Sequence, residues 1–255
     1  MRCAVALAYF GVLSPFSRLT PEKKVPVDAR VWYALASVVA AAGILVAAAR
    51  FPGGSFDWTH TVISALASQK HNPAGAAWFA GALAGAMLLL WPVVPALTRG
   101  AGAGREAPRW TEIALQLGVV CGGLVGIERL CFYHFSTLVR KGHEIVALVA
   151  FLSFYAGILG LYVHRVRTQR AFLWPALVVA MPLVAVGLRE FMLYLAQRGV
   201  GWADYDWRGQ GTPWWLSFAW WQWLGAALLW LAVGHLLWAR PGPEGTRPAG
   251  EKNRE

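Results

Sequence analysis

The sequence predicts an all-α fold, a polytopic membrane helix bundle with six transmembrane helices and a short extra helix in the first external connection. Three observations carry that prediction. Six apolar stretches are each long enough to cross a bilayer, which takes ~20 apolar residues at ~1.5 Å rise each. Charged residues make up 14% of the chain and hydrophobic residues 57%, whereas a soluble domain carries ~25% charged residues. Finally, Lys and Arg are unevenly shared between the two sets of loops that the six stretches define.

Taken in order, residues 1–30 read as a cytoplasmic N-terminal arm. Its opening, MRCAVALAYFGVLSPFS, is apolar but short, is interrupted by Pro15 and lacks a convincing small-residue cleavage site. An interfacial or loosely ordered arm is therefore expected, with a cleaved signal or a seventh span as alternatives. The membrane domain covers 31–238, with spans at 31–50, 74–97, 110–132, 143–164, 171–196 and 213–238. In the second span Ala77, Gly81 and Gly85, and in the third Gly118, Gly122 and Gly126, recur every four residues, a pattern that lets helix backbones approach closely. Pro92 and Pro95 fall near the cytoplasmic end of the second span, and Pro175 and Pro182 are expected to bend the fifth. The sixth opens with PWWLSFAWWQWL, which reads as an interfacial aromatic belt, with a stacking platform for a ligand as the alternative. Residues 239–255, rich in Pro, Gly and charge, read as a disordered cytoplasmic tail.

Assigning ends and loops alternately to two sides puts fifteen Lys and Arg on the side of both termini and six on the other, with Arg129 and Arg189 inside spans. The positive-inside rule then places both termini in the cytoplasm, in a plasma (inner) membrane protein. The net charge of +10 reads as topology and attraction to anionic lipid heads, not as nucleic-acid binding, since no folded basic module exists to carry it. Cys121 and Cys131 lie on one expected helix, ~15 Å apart along its axis, too far to bridge.

Between the first two spans lies FDWTHTVISALASQKHNP. Asp57, His60, Ser64, Ser68 and His71 fall within about 80° of arc on a helix at ~100° per residue. Pro52, Gly53 and Gly54 break the first span, Ser55 or Asp57 can cap a new helix, and Asn72-Pro73 ends it. Further ionisable groups gather at the same depth. Glu128 and Arg129 end the third span, His134 lies in the following loop, His143 and Glu144 open the fourth span, and Arg189 and Glu190 occupy the outer half of the fifth. A charge within a span costs ~2.5–3.5 kcal/mol on insertion scales and usually finds a partner. Since sequence neighbours point ~100° apart, the expected pairs run across helices, Glu128 with Arg189 and Arg129 with Glu190; a clamp with snorkelling side chains is the alternative. The inner halves of the spans are nearly free of acids, and His164 and His235 there read as interfacial anchors.

These residues define an outward-facing polar pocket with three chemical readings. His60, His71 and His143, with Asp57 and Glu144, have the donor set for zinc, although the spacing matches no established zinc motif. Ser64 or Ser68 with His60 as base is a nucleophile arrangement within helical reach, without a nucleophile elbow. A solvated face with Asp57 as helix cap needs no chemistry at all.

The six-span layout, the element Ile63-Ser64-Ala65-Leu66 in the first external connection, Asn72-Pro73, the following AAWFAGALAG and the histidine opening GHEIVALVAFLSFYAGIL together resemble the bacterial and archaeal domain of unknown function 998. That family is similar to the broader Frag, DRAM and Sfk membrane proteins. The resemblance covers roughly residues 30 to 238. Related sequences often read Ile-Ser-Asp at the element; Ala65 stands in place of that acid here, leaving Asp57 as its nearest substitute. The resemblance implies lipid handling and supplies no catalytic residues. The leading expectation is binding or processing of a lipid or amphiphile at the outer leaflet. The alternatives are a small-solute transporter or channel, and a non-catalytic accessory membrane protein.

Overall fold

The computed structural model describes residues 28–99, 107–132, 142–201 and 212–239. Among them the regular structure is helical throughout: α1 (Ala29–Ala49), the single turn α2 (Ile63–Leu66), α3 (Ala76–Leu90), α4 (Val93–Arg99), α5 (Arg109–Cys131), α6 (Gly142–Val166), α7 (Leu173–Gln197) and α8 (Phe218–Trp238), with 3-10 turns at Arg170–Phe172 and Trp214–Leu216. The helices fall on the six apolar stretches. The N-terminal arm, the tail and His134 lie outside the described residues.

Local chemistry sets the boundaries. Asp28 caps α1 by accepting a 3.0 Å hydrogen bond from the Arg30 amide, satisfying a donor that the first helical turn leaves orphaned. The second stretch is not one helix. It breaks at Trp91-Pro92, and α3 and α4 meet at 42°. Proline has no N–H to give, and its ring crowds the carbonyl of the preceding turn, so the helical ladder is interrupted there. In the fifth stretch Pro175 sits in the first turn of α7, where a proline is tolerated, and Pro182 lies inside the helix.

The packing order is α1, α3, α5, α6, α7, α8, with α8 returning against α1, α4 and α6 to close a ring. That closure is hydrogen-bonded. The Tyr33 hydroxyl donates to the Trp230 carbonyl at 2.9 Å, the Trp230 indole donates to Ser37 Oγ at 2.8 Å, and Ser37 Oγ donates to the Tyr33 carbonyl at 2.8 Å. Every polar atom in this cycle finds its partner inside the bundle, as membrane depth demands. The ring encloses a core that includes Tyr33, Leu90, Leu115, Tyr155, Ile158, Leu161, Leu229 and Val233.

Small residues fix the tightest approaches, partly where expected. On α5, a Cβ at Gly126 would stand 2.7 Å from the Ala80 carbonyl and 2.8 Å from the Ala84 amide; at Gly122 it would meet the Met87 sulfur at 3.0 Å, and at Gly118 the Phe154 ring at 2.7 Å. On α3, however, the close face is Ala80 and Ala84. Ala77 is exposed, and Cβ atoms at Gly81 and Gly85 would meet only side-chain carbons at 3.9 and 3.6 Å.

Four helical segments, Ala29–Ala49, Arg109–Cys131, Gly142–Val166 and Arg170–Gln197, are long and apolar enough to cross a membrane, and the bent α3–α4 pair makes a fifth if it is one span. α8 has 21 residues but falls outside this set; Trp220, Trp221, Trp223, Trp230, Trp238, Gln222 and His235 temper its apolarity. Of the residues of α7 only Val179 and Pro182 are buried. Its exposed row includes Trp174, Leu177, Met181, Val184, Leu188 and Phe191, a face suited to acyl chains. The apolar helices are those of a protein compatible with residence in a membrane.

Candidate functional site

The connection 50–75 is not a helix over 57–71. One turn, Ile63–Leu66, is helical, so Asp57, His60, Ser64, Ser68 and His71 do not share a helical face. The local reason is chemical. Thr59, Thr61 and Val62 are β-branched and disfavour helix, and the Asp57 carboxylate folds the chain into a turn. Its Oδ1 accepts from the Thr59 amide at 2.8 Å, the Thr59 hydroxyl at 2.6 Å and the His60 amide at 3.3 Å.

His60 then leaves the connection altogether. Its Nδ1 lies 3.0 Å from Asp57 Oδ2 and 2.7 Å from Thr59 Oγ1, while its Nε2 lies 3.1 Å from the Thr212 carbonyl, just ahead of α8. Two further bonds fasten the same region to α8. The Ile63 amide donates to Gln222 Oε1 at 3.0 Å, and the Trp223 indole donates to the Thr61 carbonyl at 2.9 Å. Phe56, Trp58 and Trp223 pack edge-to-face around these bonds, with ring centroids 4.7 to 5.9 Å apart. Hydrogen bonding to Thr59 holds the Asp57 carboxyl below its ordinary range, and the Thr212 carbonyl, helped by Asp57, raises the His60 imidazole above its own.

Asn72, expected only as a helix stop, is the fully buried centre of the connection. Its Nδ2 donates to the Ala47 carbonyl at 2.9 Å and the Leu66 carbonyl at 3.3 Å, and its Oδ1 accepts from the Gly75 amide at 3.1 Å. One side chain thus ties the C-terminal carbonyls of α1 and α2 to the N-terminus of α3. Gly75 permits the contact, since a Cβ there would stand 2.7 Å from both the Ala47 carbonyl and Asn72 Oδ1.

The other candidates are spread around this end of the ring. Ser64 and His71 are exposed, and Ser68 is half-buried with its Oγ accepting from the His71 amide at 3.4 Å. His143 is half-buried and Glu144 exposed in the first turn of α6. The expected cross-helix pairs do not form among the described residues. Arg129 Nε lies 3.3 Å from Glu128 Oε2, and Arg189 donates to Glu190 Oε1 at 2.6 Å. α6 stands between α5 and α7 in the ring, and these long side chains reach around their own helix instead. Arg189 also donates to the Leu216 carbonyl at 3.2 Å and stacks on Phe218. The described hydrogen bonds of His60, Ser64 and His71 run within the connection and to Thr212, not to α5, α6 or α7. Among the described residues no three His, Cys, Asp or Glu stand close enough to hold a metal ion.

Glu128 is the unusual member. Both its carboxylate oxygens are buried and neither receives a hydrogen bond; Arg129 Nε is near enough to attract Glu128 Oε2 but does not donate to it. At the opposite end of the ring lies a cluster only half anticipated. Buried Arg165 donates to the Leu236 carbonyl at 3.0 Å and stacks over Phe172, and the Tyr162 hydroxyl meets His235 Nδ1 at 3.0 Å. Gln222 and Thr212 were legible only as polar residues in or beside apolar runs, which usually find partners, and Asn72 as a helix stop. No family model matches the chain, and neither does any curated protein or solved structure.

Proposed function

We propose that the protein is a six-crossing plasma-membrane protein with both termini cytoplasmic, and that the outer end of its ring binds a lipid or similar amphiphile. The observation that carries this reading is Glu128, whose buried carboxylate oxygens lack hydrogen-bond donors. Leaving a buried polar group unsatisfied costs ~1–3 kcal/mol, more when it is charged. A ligand bearing a hydroxyl or ammonium donor would remove that cost. The apolar outer face of α7 and the indoles of Trp214 and Trp215, both about half exposed, offer the attached chains a route from the bilayer.

Native mass spectrometry of the full chain, released from lipid nanodiscs, tests the reading. A co-purifying lipid should be retained, and Glu128→Gln should cut its retention about tenfold, the equivalent of ~1.4 kcal/mol. Equal retention by both proteins would remove Glu128 from the site. A protein stripped clean of lipid under all conditions would favour a second reading, a small-solute pathway through the ring. One observation supports that alternative: the Tyr155 hydroxyl is buried in the core without a partner, one heptad along α6 from Tyr162 and the cluster at the other end.

A further inference from the structure

The geometry around His60 points to a proton-operated clip: we propose that protonating this imidazole fastens residues 57–63 to the segment leading into α8, and that deprotonating it releases them. The inference is independent of lipid binding.

It rests on a count of donors. His60 Nε2 faces the Thr212 carbonyl, which can only accept. Nδ1 faces Asp57 Oδ2, a carboxylate oxygen, and Thr59 Oγ1. The Thr59 hydroxyl has one proton, for which Asp57 Oδ1, 2.6 Å away, competes with the ring. Each ring nitrogen nonetheless faces one oxygen that can only accept, the Thr212 carbonyl at Nε2 and Asp57 Oδ2 at Nδ1. Neutral imidazole has one N–H, and either tautomer would set a nitrogen lone pair against an oxygen lone pair. The imidazolium satisfies both sides at once and bridges two segments that are 152 residues apart.

The charged surroundings agree. Asp57 faces the ring from its own turn. The stretch it docks against, residues 212–223, contains no ionisable side chain. On the rest of the connection, Arg50 stacks on Trp78 at 4.9 Å, and Lys70 and His71 are exposed. No described positive charge competes with the imidazolium at its two bonds.

The direction with pH follows from the two shifts. The His60 pKa is raised in the fold, so its contribution is complete below the ordinary imidazole value and is lost as pH rises through the raised one. The Asp57 pKa is lowered, so its contribution is present above the ordinary carboxylate range and is lost as pH falls through the lowered value. The clip is closed between these limits and opens on the alkaline side. His60 and Asp57 side chains are 44% and 55% exposed, so solvent screens the pair and the effect is a few-fold one. The Trp223 and Gln222 bonds persist, so release loosens the connection without detaching it.

Hydrogen-exchange mass spectrometry on the full chain in nanodiscs reads this directly. After correction for intrinsic exchange, protection of the amides of 57–63 should fall roughly two- to five-fold between about pH 5.5 and pH 8.5, with a midpoint above ~6.5. His60→Gln should show low protection and no step, and Asp57→Asn should move the midpoint down. A wild-type profile without a step, or a step of equal size in His60→Gln, would overturn the proposal. Nitrogen NMR of the histidine-labelled wild-type protein needs no variant. It should show His60 protonated on both ring nitrogens at about pH 6.5, and a neutral ring at that pH would equally overturn it.

Discussion

Asn72→Leu is expected to destabilise the protein by roughly 4 kcal/mol, the largest effect of any single side chain in the connection. The substitution keeps the number of side-chain heavy atoms but strands two buried carbonyls together, those of Ala47 and Leu66; the Gly75 amide loses the side-chain acceptor but keeps the backbone carbonyl of residue 72 at 3.2 Å. Each unsatisfied buried group costs ~1–3 kcal/mol, and leucine leaves no room for a water to replace the amide. Asn72→Asp separates the roles. It keeps the acceptor for Gly75 and loses both donors, and it sets a carboxylate against the Ala47 carbonyl, so it should be at least half as damaging. The check is the thermal midpoint of the monodisperse protein in detergent. A midpoint for Asn72→Leu within error of wild type would show that Asn72 does not tie these helix ends.

Gly126→Ala should cost about 2–3 kcal/mol, because the added methyl meets backbone, not a side chain that can turn away. Its Cβ would lie 2.7 Å from the Ala80 carbonyl and 2.8 Å from the Ala84 amide, so α3 and α5 must separate and give up the close contact that holds helices together in lipid. Gly81→Ala is the matched control, since its Cβ would meet nothing nearer than the Leu130 side chain at 3.9 Å. It should be neutral or slightly stabilising through helix propensity. Equal effects of the two substitutions on the detergent midpoint would mean that the α3–α5 approach is not limited by Gly126.

The helices were readable because long apolar runs favour helix: each expected stretch is helical, four of them are long and apolar enough to cross a membrane, and the bent α3–α4 pair makes a fifth if it is one span. The four-residue recurrence of glycine on α5 gave the right face. The same recurrence on α3 did not, because alanine is small enough to serve and Ala80 and Ala84 were hidden among other alanines. The break at Trp91-Pro92 was visible as proline chemistry, though its angle was not. At the site, spacing misled. The intervals between Asp57, His60, Ser64, Ser68 and His71 fit a helix, but Thr59, Thr61 and Val62 resist one, and a side-chain turn at Asp57 outcompetes it. His60 meets a partner other than the expected ones, the Thr212 carbonyl. Its bond to Thr212 spans most of the chain and leaves no local pattern. The pairing of Glu128 with Arg129 shows that ~100° between neighbours does not keep long side chains apart.

The proposals for Glu128 and His60 both place them at the end of a membrane-crossing ring that faces away from the cytoplasm. Reporter fusions to the full chain measure that most directly, and they also decide whether α8 crosses. A reporter inserted after Lys70 should read external, and reporters after Arg105 and after Arg254 should read cytoplasmic, as the distribution of Lys and Arg requires. An external reading after Arg254, which means an odd number of crossings between residue 30 and the tail, or a cytoplasmic reading after Lys70, would contradict the account.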